Sequence, residues 1–119
     1  MATADNIERT GVIEGPNISL LKRKPVRTPD GNYATVYSMS FSDQTGVEIL
    51  IPTVVNGRLV SLQQAIDHYY KTGEHLGKYT SVEAANKAAQ RIHEAEAKRI
   101  AAMGYGKMRV RPVDRTRYR

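Results

Sequence analysis

The chain has 119 residues, of which 40% are hydrophobic, 25% charged and 7% aromatic, with 18 Lys and Arg against 12 Asp and Glu for a formal charge of +6, and no Cys or Trp. That length suits one small domain with appendages and leaves no room for a large catalytic fold or an enclosed cofactor pocket beside the core. The missing Cys excludes disulfides and any thiolate-held zinc, haem or iron–sulfur centre, so maturation in an oxidising compartment is not expected.

In chain order, residues 1–17 place apolar residues only at Ile7, Val12 and Ile13, sustain neither period, and read as an arm. Met1 to Asn6 lack a basic region followed by an apolar one, so no secretory signal is expected. From Lys24 to Val60 the signals are those of strands. Pro25 to Thr28 leads into a turn at Pro29-Asp30-Gly31-Asn32, and Tyr33 to Phe41 is rich in β-branched and aromatic residues. A second turn, Asp43 to Gly46, precedes the apolar run Val47 to Val55, and Asn56-Gly57 signals a tight reversal into Arg58-Leu59-Val60. Pro52 cannot donate to a ladder, which predicts an edge strand or a bulge. Interrupted by Glu48 and Pro52, the same run falls far short of the roughly 20 residues of a membrane span.

From Ser61 the period becomes helical. Leu62, Ala65, Ile66 and Tyr69 share a face, Ser61 and Gln64 match a capping box, and Gly73 stands where a helix stops. A second helix is predicted with Thr80 as cap and Glu83 three residues on, carrying Val82, Ala85, Ala89, Ile92, Ile100 and Met103 on one face and ending at Gly104. The expected fold is therefore α+β: a short antiparallel β-meander of about three strands under two α-helices over residues 18–103, with extended N- and C-terminal arms at 1–17 and 104–119.

Charge is unevenly divided along this plan. Residues 1–21 hold one base and three acids, 28–103 seven bases and eight acids, whereas Lys22, Arg23, Lys24 and Arg27 form a cluster without an acid. From Gly104 onward Lys107, Arg109, Arg111, Arg115, Arg117 and Arg119 face Asp114 alone. These ten cations are the candidate partner-binding residues, fitted to acidic protein through Arg–carboxylate pairs or to phosphates. In an extended conformation Lys107, Arg109 and Arg111 fall on one side and Met108 and Val110 on the other, and Pro112 blocks a helix. Tyr105 and Tyr118 could stack on bases, but aromatics are too sparse for a single-strand platform.

No catalytic constellation emerges. His68, His75 and His93 lack the i, i+4 pairing of a helical metal site, and Ala97 stands where the His93-Glu94 start of a zinc-protease motif needs its second His. Gly104-Tyr105-Gly106-Lys107 follows a helix rather than a strand and has Met108 where a phosphate loop needs a hydroxyl. Asp67, Glu74 and Glu83 read as solvated acids, His75 as a loop-packing residue, and Ser38, Ser40 and Ser42 as a polar strand face. No enzyme, cofactor, metal or small-molecule substrate is expected.

The central residues carry a resemblance. Gly15-Pro16-Asn17-Ile18-Ser19-Leu20-Leu21-Lys22-Arg23, then Pro25 through Phe41, Ile49-Leu50-Ile51-Pro52-Thr53-Val54-Val55-Asn56-Gly57-Arg58, Ala65 through Tyr79 and Ala84 through Glu94 together resemble a small module of tailed-bacteriophage and prophage proteins, over about residues 15–96. The resemblance implies a virion or virion-associated setting, reached from the bacterial host cytoplasm, with the module occurring alone or attached to larger phage proteins. It implies no catalytic residues. The expectation is a minor structural protein of the particle, at the capsid surface as a cement, at the head–tail junction or in the tail. Its partners are then other virion proteins in a symmetric multi-copy assembly, with no membrane contact. The rival is a nucleic-acid-binding protein packaged or ejected with the genome, and an accessory module of a phage enzyme stands third.

Overall fold

The computed structural model describes residues 3–105. It is an α+β fold in which a four-stranded antiparallel sheet separates two helices. A short helix α1 (Ala4–Thr10) and strand β1 (Val12–Glu14) open the chain, followed by β2 (Val26–Arg27), β3 (Tyr33–Ala34), β4 (Met39–Ser42), β5 (Glu48–Ile51), β6 (Val54–Val55) and β7 (Arg58–Leu59). Helix α2 (Leu62–Thr72), strand β8 (Gly77–Tyr79) and helix α3 (Val82–Ala102) complete it.

The main sheet has the order β1-β8-β5-β4, while β2–β3 and β6–β7 are separate hairpins. All four residues of β5 are buried, because this central strand has a core on each face. Leu50 joins Val36, Leu76, Tyr79, Ala85 and Ala88 under α3, and Ile49 and Ile51 join Ala65 under α2. Ala85 and Ala88 are small enough to let α3 approach the sheet closely. Glu48 is tolerated in this buried strand because Ser40 and Ser42, its neighbours on β4, donate their hydroxyls to its carboxylate at 2.7 and 2.5 Å.

Several expectations hold. The Asn56-Gly57 reversal joins β6 to β7 with both residues at positive φ (51° and 78°), as a two-residue hairpin of this kind requires. The Ser61–Gln64 capping box is present, and α2 ends at Gly73 in the left-handed region. The Asp43 turn forms around its own carboxylate, which accepts from the amides of Thr45 and Val47.

Other expectations are corrected. The sheet is not a meander, since β8, three residues from the segment between the helices, inserts between β5 and β1. The helices pack on opposite faces rather than together. Instead of forming one strand, Tyr33 to Phe41 breaks at residues 35–38, where Val36 O accepts from the amides of Thr53 and Val54 at 2.8 and 3.2 Å and draws the backbone out of the ladder. Pro52 lies at neither an edge nor a bulge; it directly follows the last residue of central β5 and ends its ladder. The second helix is capped by Ser81, not Thr80, with the Ser81 hydroxyl accepting from Ala84 N at 3.1 Å.

The N-terminal segment is not an extended arm. Residues 4–10 are helical, and β1 pairs with β8 as an edge of the main sheet. Gly11 makes the junction possible: its φ is +73°, and a Cβ there would stand 2.6 Å from Ala84 Cβ. Side chains then lock the strand down. His75 Nε2 lies 2.9 Å from Glu14 Oε2, Asn17 Oδ1 accepts from His75 N at 2.7 Å, and Asn17 Nδ2 donates to Gly73 O at 2.9 Å. His75 is thus fully buried packing for the loop before β8, as its sequence position suggested.

Candidate functional site: a basic pole beside a groove

Lys22, Lys24 and Arg27 are exposed, and Arg23 between them is not. Its guanidinium turns inward and Nη1 donates to Thr35 O at 3.1 Å and Val54 O at 2.8 Å. Burial lowers its pKa below the usual arginine value, against the opposing charges of Glu74 and Glu96, and the group stays protonated. Arg23 is therefore an internal strut rather than an exposed cation like Lys22, Lys24 and Arg27, because its Nη1 is taken by two carbonyls of its own domain.

The backbone around Arg23 is held by α3. Arg99 donates through Nη1 to Leu21 O at 3.3 Å and through Nη2 to Arg23 O at 3.2 Å, and it pairs with Glu96 at 2.8 Å. Glu96 also accepts from the Thr35 hydroxyl. Burial would raise the Glu96 pKa, but hydrogen bonds from Arg99 and Thr35, with the charges of Arg99 and Arg23, hold it below the ordinary glutamate value. A buried acid on the inner face of α3 thereby fixes where residues 21–24 lie.

Arg27 completes the pole. Its guanidinium carbon lies 5.7 Å from the centre of the Tyr33 ring, and Tyr33 meets Tyr105 edge-on at 5.2 Å. Tyr105 is the last described residue, and the six bases from Lys107 to Arg119 follow it in sequence. Lys107, Arg109, Arg111, Arg115, Arg117 and Arg119, and with them most of the arm expected over 104–119, lie outside the described residues.

Beside the pole runs a groove of about 710 Å³ between α3 and residues 28–38. Asn86, Gln90 and His93 line its helical wall, and Tyr33, Tyr37 and Ser38 the opposite one. Tyr37 sits at φ 45°, a left-handed conformation that costs a bulky side chain on the order of 1–2 kcal/mol. Thr53 enforces it, donating its hydroxyl to Tyr37 O at 2.5 Å.

The sequence missed the groove and the Glu96 network, both assembled from segments far apart in the chain. The one signal for either was a Glu on the otherwise apolar face that includes Ile92 and Ile100. Among the described residues no group of three or more His, Asp or Glu could hold a metal ion, and no helix is long and apolar enough to cross a membrane. Compared with known protein families, curated proteins and solved structures, the chain matches none.

Proposed function

We propose that the chain is a minor structural protein of a tailed-phage virion that joins neighbouring subunits through its basic pole, at the capsid surface, the head–tail junction or the tail. The observation that carries this reading is the run of contacts Arg27–Tyr33–Tyr105, which ties the first cationic cluster to the last described residue before the second, on a body that is otherwise near neutral. Arginines recognise carboxylates through paired parallel hydrogen bonds, and interactions of modest individual strength accumulate when many copies engage together. The particle setting comes from the resemblance of residues 15–96 to a phage module.

The test is a charge-reversal variant, K22E/K24E/R27E, produced alongside unmodified protein during particle assembly. Its incorporation should fall by about tenfold or more, equivalent to about 1.4 kcal/mol of docking energy. Incorporation at the unmodified level would contradict the proposal. The rival, a genome-bound protein, is favoured by the same cations and separates by salt dependence. For a genome-bound protein, every phosphate that the variant no longer neutralises flattens the slope of log K against log salt by about 0.9.

A further inference from the structure

We propose that the groove between α3 and residues 28–38 binds a neutral oligosaccharide. This site lies outside the assembly role proposed above and does not depend on it. Its volume of about 710 Å³ is in the range of sites that enclose small ligands, roughly 300–1,000 Å³.

Charge defines the first property of the occupant. Among the described residues no Lys or Arg lines the groove, so its described walls hold no cation to compensate a phosphate or carboxylate. Its two carboxylates are already engaged, Asp30 by the Thr28 hydroxyl and the Asn32 amide and Glu96 by Thr35 and Arg99, which leaves neither free for a cation. An uncharged ligand fits both facts.

The backbone defines the second. The carbonyls of Thr35, Val36 and Tyr37 already accept hydrogen bonds, from Arg23, from the Thr53 and Val54 amides, and from the Thr53 hydroxyl. The facing wall is an α-helix whose amides and carbonyls serve one another. With the carbonyls of residues 35–37 and the helix backbone engaged, recognition passes mainly through side chains, and because β3 is an edge strand beside the groove an uncharged peptide is the control the test must include.

Those side chains suit hydroxyls. The Asn86 carboxamide, the His93 ring, the Ser38 hydroxyl and the Tyr37 phenol have no hydrogen-bond partner among the described residues, and the Gln90 amide nitrogen donates to Glu94 while its carbonyl oxygen stays open. Carboxamides present donor and acceptor together, the complement of adjacent sugar hydroxyls. Asn86, Gln90 and His93 follow the i, i+4, i+7 spacing of one helix face, and Ala89 and Ala97 keep the floor shallow. Tyr37 remains 41% exposed despite its strained backbone and offers a ring face to the apolar side of a pyranose.

The experiment is a two-dimensional NMR titration of the full-length chain with chitotetraose, cellotetraose and maltotetraose in turn. At least one should give saturable shifts of the Asn86 and Gln90 side-chain amides and the Tyr37 and Ser38 backbone amides below about 10 mM ligand. N86L, an exposed helical position, should weaken that binding about tenfold with the unfolding midpoint unchanged, and Y37A should do the same by affinity. The proposal is overturned if none of the three sugars gives a saturable shift, if the shifts map away from the groove, or if an uncharged Gly-Ser peptide produces the same shifts. Because the isolated protein is used, failure here leaves particle incorporation untouched.

Discussion

Arg99 and Arg23, both cationic, are joined head to backbone: Arg99 Nη2 donates to Arg23 O at 3.2 Å while the Arg23 guanidinium reaches the opposite way to Thr35 and Val54. The two cations are compatible because Glu96, paired with Arg99 at 2.8 Å, also attracts the charge of Arg23. It turns a cation of the surface cluster into a bolt between α3, the 21–24 segment and the turn that carries Thr35.

Arg23→Ala should therefore destabilise the fold by about 2–3 kcal/mol, since it strands two carbonyl acceptors and leaves a buried acid less compensated. Lys24→Ala, one position away and exposed, should stay within about 0.5 kcal/mol. Denaturant unfolding of the two variants separates them, and equal stabilities would return Arg23 to the surface cluster.

The same network sets a pH dependence. Glu96 has a lowered pKa in the folded state, so its contribution is complete above the ordinary glutamate value of 4.5 and disappears as pH falls through the folded value. Asp30 and Asp43 shift in the same direction. Burial would raise Asp30, but hydrogen bonds from Thr28 and Asn32 outweigh it, and Asp43 is lowered first by its bond from the Thr45 hydroxyl. Glu96→Gln should flatten the acid limb of a stability-versus-pH curve without abolishing it. An unchanged limb would remove Glu96 from the account.

Tyr79 lies across Gly77 within β8, and a Cβ at Gly77 would fall 2.6 Å from Tyr79 Cζ. Gly77→Ala in this central strand should cost more than about 2 kcal/mol, combining overpacking with a strained φ of 140°. Gly46→Ala, with φ 86° but open space around it, should cost only about 1 kcal/mol. Thermal unfolding of the pair isolates the clash from the dihedral.

The strands and helices that follow strong local rules were legible from the residues: the Asn56-Gly57 hairpin, the Ser61 cap and the Asp43 turn each depend on a few consecutive side chains. The strand Gly77–Tyr79 was not, because three residues carry no period and its pairing is decided by β1 and β5 far away in sequence. The arm reading of the N-terminus failed for a related reason. Val12 pairs with Tyr79 and Glu14 meets His75, pairings that composition cannot anticipate. At the candidate site, the exposed cations Lys22, Lys24 and Arg27 were visible as charge, but the inward turn of Arg23 came from Thr35 and Val54, and the groove from two distant walls.

Relieving Tyr37 should expose the trade between strain and binding. Tyr37→Gly should hold or raise the unfolding midpoint, gaining up to about 1 kcal/mol from the relaxed φ, while weakening oligosaccharide binding about tenfold. A variant that is less stable and keeps its affinity would contradict the assignment of the ring to the ligand.

The central claim concerns the pole formed where Arg27, Tyr33 and Tyr105 meet. It is tested most directly by zero-length carboxyl-to-amine cross-linking of intact particles, with the linked peptides identified by mass spectrometry. Lys22 and Lys24 are expected to join to Asp or Glu of neighbouring virion subunits. Links confined to this chain's own acids, or recovery of these residues only in association with the genome, would contradict the account.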